Sequence, residues 1–257
     1  MTKKEFFIKS SYADDWSQWV HDHHTLSPLD VKIIKAIDAK NDEIILEIGA
    51  GEGKIAQILL RSRIQYIGLD ISHRILNYAK NKLMALGFSN FHLIVADAEY
   101  FPFRSSMDKI FYYNTLFFIP NRFLTLRNAS YTLKNSGKMI IDTTNFLNLY
   151  YILLYLNQTI RNFGKWIANR FHIVRKLIKL LRKRDYNPYF RPGSKGNILI
   201  ILWELRKLGF KPLILSGYPT NLQQYFLRII KNPYLEDSFT TGILKLFSGR
   251  ILIQAEK

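Results

Sequence analysis

The chain has 257 residues, 48% of them apolar, with a formal net charge of +17 and no cysteine. That length and apolar content suffice for one large core without division into two domains. The charge calls for an anionic partner (nucleic acid, an anionic membrane surface or an acidic substrate), while the lack of cysteine excludes disulfides and thiolate metal sites and suits a reducing compartment.

The first residues, MTKKEFFIKSSYADDW, include lysines but no apolar h-region, so no signal peptide is expected. No run of 18 uninterrupted apolar residues occurs, so no spanning helix is expected either, and a cytoplasmic location follows as the expectation. Ser27-Pro28-Leu29-Asp30 opens a helix to about Ala39: Ser as cap, Pro in the first turn, Asp where the helix dipole favours a negative charge. Ile44–Ile48 is a short apolar strand, and Lys54–Arg61 reads as helix. Ile64–Leu69 is a second strand ending in Asp70. Ser72 caps a helix to Leu86, stopped by Gly87. Phe91–Ala96, Lys109–Tyr113 and Lys138–Thr143 read as the third, fourth and fifth strands, with a helix at Asn121–Leu133 between the last two. After a long insertion, Asn197–Leu208 is a helix stopped by Gly209, followed by strands at Pro212–Ser216 and Arg250–Ala255. Strands alternating with helices argue for a parallel sheet covered on both faces.

The stretch IILEIGAGEGK, residues 44–54, places a lone Glu and three alternating glycines where the first strand turns into a helix. Glycine belongs where backbone takes φ > 0 or lies very close to another group. A dinucleotide fingerprint needs a third glycine at 54, which is Lys54, and a phosphate-binding P-loop needs one at 48, which is Ile48. What stands is E-x-G-x-G-x-G at a strand-to-helix turn.

That pattern resembles the first motif of the class I S-adenosylmethionine-dependent methyltransferases, of the small-molecule type, and further landmarks follow in order. Asp70, in YIGLDIS, lies 19 residues after Gly51, where the family places an acid on the ribose hydroxyls; a carboxylate can accept from both hydroxyls of a diol. ADAEYFPF (96–103) resembles the loop after the third strand, DKIFYYNTLFFI (108–119) the fourth strand and its turn, and LKNSGKMIIDTTN (133–145) the turn into the fifth. The resemblance covers residues 28–145 well and 195–257 loosely. It implies S-adenosylmethionine as cofactor, with S-adenosylhomocysteine as product, held by Glu47, Gly49, Ala50, Gly51, Gly53, Asp70, Ile71, Asp97, Ala98 and Asn114. Asp97 and Ala98 would flank the adenine, and Asn114 would lie near the methionine end. It also implies a single domain over 1–257: a Rossmann-like α/β fold with a seven-stranded, mostly parallel sheet, helices on both faces and a helical insertion after the fifth strand. Its strand order would be 3-2-1-4-5-7-6 with the seventh antiparallel. Simpler readings exist beside these: Asp70 as a lead into the helix at Ser72, Asp97 as a turn residue. Glu47 is harder to explain away, because a buried carboxylate needs partners, which the cofactor's ammonium and the N–H groups of the turn could supply.

Methyl transfer asks for in-line positioning, and for a base only where the nucleophile starts protonated. No metal is expected. The HDHH stretch, residues 21–24, could supply a base or hold a metal; its plainer reading is a polar lead-in, with Tyr12, Trp16 and Trp19 packing as a lid across residues 1–26. Relatives of this shape place N-terminal residues over the cofactor, which makes Tyr12 and His23 the catalytic candidates. Where relatives often carry a polar residue or His after the fourth strand, this chain has Phe117 and Phe118, which suggests an apolar acceptor pocket.

Residues 146–194 form the most individual part. No acidic residue occurs between Thr143 and Arg184, and residues 161–184 hold nine Lys or Arg. Apolar residues from Leu153 to Leu181 recur every three or four positions, as on one stripe of a helix. Three readings suit it: a helical cap over the acceptor pocket, an interfacial helix on anionic lipid through residues 151–184, or a nucleic-acid contact. The expected activity is methyl transfer to a small or lipid-like acceptor. An RNA methyltransferase is the alternative, although Asn114-Thr115-Leu116-Phe117 stands where an N6-adenine enzyme would carry Asn or Asp before Pro-Pro-Tyr. A non-catalytic cofactor-binding protein at a membrane surface is the other.

Overall fold

A computed structural model describes residues 3–8, 26–101, 103–104, 106–145, 198–218 and 250–257. The lid stretch 9–25, with Tyr12 and His23, and the basic stretch 146–194 lie outside the described residues. The chain divides into two compact units, one of Met1–Thr143, Leu199–Leu215 and Leu252–Lys257, the other of Thr144–Ile198 and Ser216–Ile251. Nearly every described element belongs to the first.

In chain order the elements are α1 (Lys3–Ile8), α2 (Pro28–Ile37), β1 (Ile44–Ile48), α3 (Ala56–Leu59), β2 (Gln65–Asp70), α4 (His73–Ala85), β3 (Phe91–Val95), β4 (Met107–Tyr112), a 3-10 turn (Leu116–Phe118), α5 (Arg122–Thr132), β5 (Leu133–Thr144), α6 (Ile198–Lys207), β6 (Lys211–Tyr218) and β7 (Arg250–Glu256). The strands form one seven-stranded sheet ordered β3-β2-β1-β4-β5-β7-β6, the order the resemblance implied. The four pairings β3–β2, β2–β1, β1–β4 and β4–β5 are all parallel. Strand order reverses between β1 and β4, and in such sheets the crevice beyond the carboxyl ends at that point is where ligands bind.

Local chemistry explains the elements. Buried parallel strands read as apolar runs, and Ile45, Leu46 and Ile48 of β1 and Ile110 and Phe111 of β4 are wholly or almost wholly buried. Ser27 caps α2 by accepting from the Asp30 N–H at 3.2 Å while Asp30 accepts from the Ser27 N–H at 2.6 Å, a reciprocal capping box. Ser72 and Asn121 cap α4 and α5 in the same way, one-sidedly.

Two expectations shift. The helix read over Lys54–Arg61 shrinks to Ala56–Leu59: Ile55 offers no side-chain cap, and Ile58, Arg61 and Ser62 donate three residues back rather than four. The fifth strand is longer than expected because LKNSG, read as a turn, is absorbed into β5 through a shift of register between Met107 and Lys109. Gly137 permits that shift, since a Cβ there would lie 2.9 Å from the Asp108 carbonyl oxygen and 2.6 Å from Leu133 Cγ.

Candidate active site

The glycine turn leaves the carboxyl end of β1 with Gly49, Gly51 and Gly53 all at positive φ (+75°, +53° and +70°), the backbone that side chains other than glycine's rarely adopt. The three differ in what a side chain would meet. At Gly49 a Cβ would lie 2.3 Å from both Cγ2 and Oγ1 of Thr115, so the turn is pressed against the loop after β4. At Gly53 a Cβ would meet Leu83, Ala56 and Ala79 at ordinary contact distances. At Gly51 it would meet nothing within 4 Å. Protein packing therefore does not require glycine at 51, and open space lies where its side chain would project.

Asp70, at the end of β2, is hydrogen-bonded to the same turn. Its Oδ2 accepts the Gly51 N–H at 3.1 Å and its Oδ1 accepts the Ser72 N–H at 3.0 Å. Each carboxylate oxygen has a second acceptor site. Burial raises the Asp70 pKa above the ordinary carboxylate value, and backbone N–H groups of Ser72, Gly51 and Ile71 oppose that shift. A vicinal diol, with two O–H donors, fits such a carboxylate, and the open cradle at Gly51 admits a ligand close to the backbone. The site thus fits a ribose-bearing cofactor on its own geometry.

Glu47 has a partner the sequence reading passed over. The Tyr66 hydroxyl donates to Glu47 Oε2 at 2.5 Å, with both side chains buried. The N–H groups of Gly49 and Ala50, expected to serve Glu47, instead donate to the Leu69 carbonyl at 2.7 and 3.0 Å. Burial pushes the Glu47 carboxyl up to about 8; the Tyr66 hydrogen bond lowers it and the negative Asp70 adds to the rise. Gly68 makes this arrangement sterically possible, since a Cβ there would lie 3.1 Å from Tyr66 Cε1 and 2.9 Å from Ala50 Cβ. A glycine inside an apolar strand was the available signal for close approach.

Asp97 and Ala98 follow β3, both partly buried. The Asp97 carboxylate is engaged on both oxygens: Lys4 Nζ stands 2.6 Å from Oδ2, and Oδ1 accepts the Glu99 N–H at 2.9 Å. The turn geometry of the plainer reading is therefore present. Lys4 also reaches Glu99 Oε2 at 2.8 Å, and Glu99 Oε1 accepts the Asn121 N–H at 2.9 Å. Burial alone would lower the Lys4 pKa, but its bonds to Asp97 and Glu99 raise it on balance. One turn further along α1, Phe7 packs edge-on against Phe118, ring centroids 5.1 Å apart at 71°. Phe117 lies 4.4 Å from Phe118. α1 thus bridges the loops after β3 and β4. Neither Lys4 nor Glu99 carried a signal in the sequence, because their pairing spans 95 residues.

Asn114 leaves β4 in the left-handed region, φ +56°, and donates its N–H to Asp142 Oδ2 at 3.1 Å. Asn tolerates that conformation better than most residues. Thr115 next to it donates to the Tyr113 carbonyl at 2.8 Å. Beneath the glycine turn, the fully buried Asp30 accepts from Lys54 Nζ at 2.8 Å and from the Tyr113 hydroxyl. Burial opposes ionisation of Asp30, but the bonds from Lys54, Tyr113 and Ser27 leave its pKa lowered. The residue read as a helix-dipole acid is therefore also a strut joining α2, the glycine turn and β4.

A glycine turn at the reversal of strand order, with an acid at the end of the neighbouring strand, in a sheet ordered β3-β2-β1-β4-β5-β7-β6, is the arrangement of the class I methyltransferase fold. The chain matches the family described as "Methyltransferase domain" over residues 39–185 and belongs to it. It is an S-adenosylmethionine-dependent methyltransferase. Comparison with curated proteins finds no match. Among solved structures, phosphoethanolamine N-methyltransferase 2 of Haemonchus contortus, in complex with S-adenosyl-L-methionine, superposes with TM-score 0.63 at 18% identity, covering 100% of this chain and 60% of that one. The YcgJ protein of Bacillus subtilis gives 0.59 at 17% identity, covering 89% and 97%. A SAM-dependent methyltransferase of Aquifex aeolicus gives 0.56 at 13%, covering 93% and 96%. At these identities the likeness concerns the fold.

Proposed function

We propose that the protein transfers the methyl group of S-adenosylmethionine to a small or lipid-like, largely apolar acceptor, as one methyltransferase domain with an N-terminal lid (1–26) and a basic helical insertion (146–194). The observation that carries the acceptor class is the aromatic cluster of Phe7, Phe117 and Phe118 where β4 leaves the sheet. A cluster of rings at that place favours apolar surface. The complex of phosphoethanolamine N-methyltransferase 2 of Haemonchus contortus with phosphomonomethylethanolamine and S-adenosylhomocysteine supports the small-acceptor part of this reading.

In this reading Glu47 and the turn Gly49, Ala50, Gly51 and Gly53 hold the amino-acid end of the cofactor. Asp70 and Ile71 hold the ribose. Asp97 and Ala98 flank the adenine, with the Asp97 carboxylate steadied by Lys4, and Asn114 borders the methionine end. The sulfonium supplies an already electrophilic methyl group. What the chain contributes is alignment, worth several orders of magnitude when two reactants are held in reacting geometry, and exclusion of water by α1 and the lid. Where the nucleophile starts protonated, Tyr12 or His23 takes its proton. Incubating a cell extract with the protein and isotope-labelled S-adenosylmethionine, then finding the labelled product by mass spectrometry, tests the reading. A labelled small or lipid-like product supports it; label appearing only in RNA would replace it with the RNA methyltransferase that the +17 charge keeps in view. Attachment to anionic membranes through residues 151–184 belongs to the same proposal. Salt-sensitive sedimentation with anionic vesicles checks it, lost when Arg175, Lys176, Lys179 and Arg182 become Gln.

A further inference from the structure

α6 presents two different faces. Ile198, Ile201, Leu202 and Leu205 are buried, which anchors the helix. Opposite them, Leu199, Ile200, Trp203, Arg206 and Lys207 are all exposed, the three apolar residues by 55%, 42% and 54%. At about 100° per residue these five fall within an arc of about 120°. A surface helix ordinarily turns polar residues outward, and single exposed apolar residues need no explanation. Two aliphatic chains and a tryptophan side by side on one outward arc do need one.

We infer that this face of α6 docks on an anionic lipid surface. Leucine, isoleucine and tryptophan suit the boundary between headgroups and acyl chains, where an indole can bury its ring and keep its N–H wet. The basic residues stand at one end of the same arc, and Lys207 Nζ lies 3.6 Å from the centroid of the Trp203 ring, so ring and charge occupy one small area. The arc carries no acidic residue, and the whole chain carries +17. That combination is complementary to lipid phosphates over apolar tails. Nucleic acid would leave Leu199 and Ile200 unused, and a second copy of the chain would bring Arg206 and Lys207 against a like-charged surface. No described helix is long and apolar enough to cross a membrane. The inference needs neither the methyl-transfer reading nor the basic stretch 151–184.

The test uses the full chain and vesicles, either equimolar phosphatidylglycerol and phosphatidylcholine or phosphatidylcholine alone. The wild type should sediment with the anionic vesicles and far less with the neutral ones. The triple variant L199S/I200S/W203S should lose about tenfold or more in vesicle affinity while S-adenosylmethionine binding, measured by calorimetry, stays unchanged, because its substitutions lie on the outer arc. Lys207→Gln with Arg206→Gln should lose affinity at low salt and converge with the wild type at high salt. Undiminished vesicle binding by the triple variant overturns the inference. So does a wild type that ignores both vesicles, or a triple variant that changes only from dimer to monomer in sedimentation. Loss of binding confined to the 151–184 glutamine variant would place the lipid contact there and remove it from α6.

Discussion

The Tyr66 hydroxyl, carried on β2, donates to the Glu47 carboxylate on β1 at 2.5 Å, both side chains out of contact with water. Register makes this pairing possible: Glu47 lies opposite Gly68, two residues beyond Tyr66, and the missing side chain at 68 leaves room for the ring. Glu47 sits at about 8 in the fold against 4.5 as its ordinary value. Its folded pKa is raised, so its contribution is fully present below pH 4.5 and declines as pH rises towards 8, by at most about 1.4 kcal/mol per pH unit. Glu47→Gln, neutral at every pH, should flatten this decline and exceed the wild type in stability near pH 8. Denaturant midpoints measured from pH 5 to 8 check it; parallel curves for both proteins would remove the protonated-carboxyl assignment.

Asp70 accepts backbone N–H groups of Gly51 and Ser72 at the end of β2, and the ribose assignment rests on its remaining acceptor capacity. Asp70→Ala should weaken cofactor binding by about 1–3 kcal/mol. Because burial raises the Asp70 pKa, wild-type affinity should already fall on acidification above the ordinary carboxylate range. Calorimetric titrations across pH report both effects, and equal affinity in the two proteins would refute the ribose assignment.

Gly49 and Gly51 should separate cleanly. Gly49→Ala drives a methyl group into Thr115 and should cost a few kcal/mol of stability through overpacking and φ strain. The Cβ of Gly51→Val meets no protein atom within 4 Å, so the variant should fold with a cost of about 1–2 kcal/mol from its positive φ and abolish cofactor binding. Thermal unfolding combined with calorimetry distinguishes the pair.

Lys4 ties α1 to Asp97 and Glu99. Its side chain is 31% exposed, so Lys4→Met should change stability by under about 1 kcal/mol. Release of S-adenosylhomocysteine, followed by stopped flow, should quicken severalfold as α1 loses its tether. An unchanged release rate would deny α1 a part in closing the site.

Tyr12→Phe and His23→Ala address the proton. If either supplies a base, its variant should lose the rising limb of the pH–rate profile and about 100-fold or more in turnover. Unchanged turnover in both leaves position alone as the source of rate.

Local chemistry written over a few residues was legible in the sequence. The Ser27 cap, the strand IILEI, the E-x-G-x-G-x-G turn and the acid 19 residues beyond Gly51 each depend on neighbours along the chain or on a spacing that the family repeats. Backbone sterics and helix-end hydrogen bonding act at that range, so residue order determines them. The strand order came only through the resemblance and was met by the sheet. The partners of the site residues depended on the tertiary structure. Tyr66 reaches Glu47 through the pairing of two strands, Lys4 reaches Glu99 across 95 residues, and Asp30 meets Lys54 and Tyr113 from separate elements. Hydrogen bonds and ion pairs act over about 3 Å of space whatever the separation along the chain. Which groups come that close is decided by the packing of the sheet and its helices, and no local pattern records it.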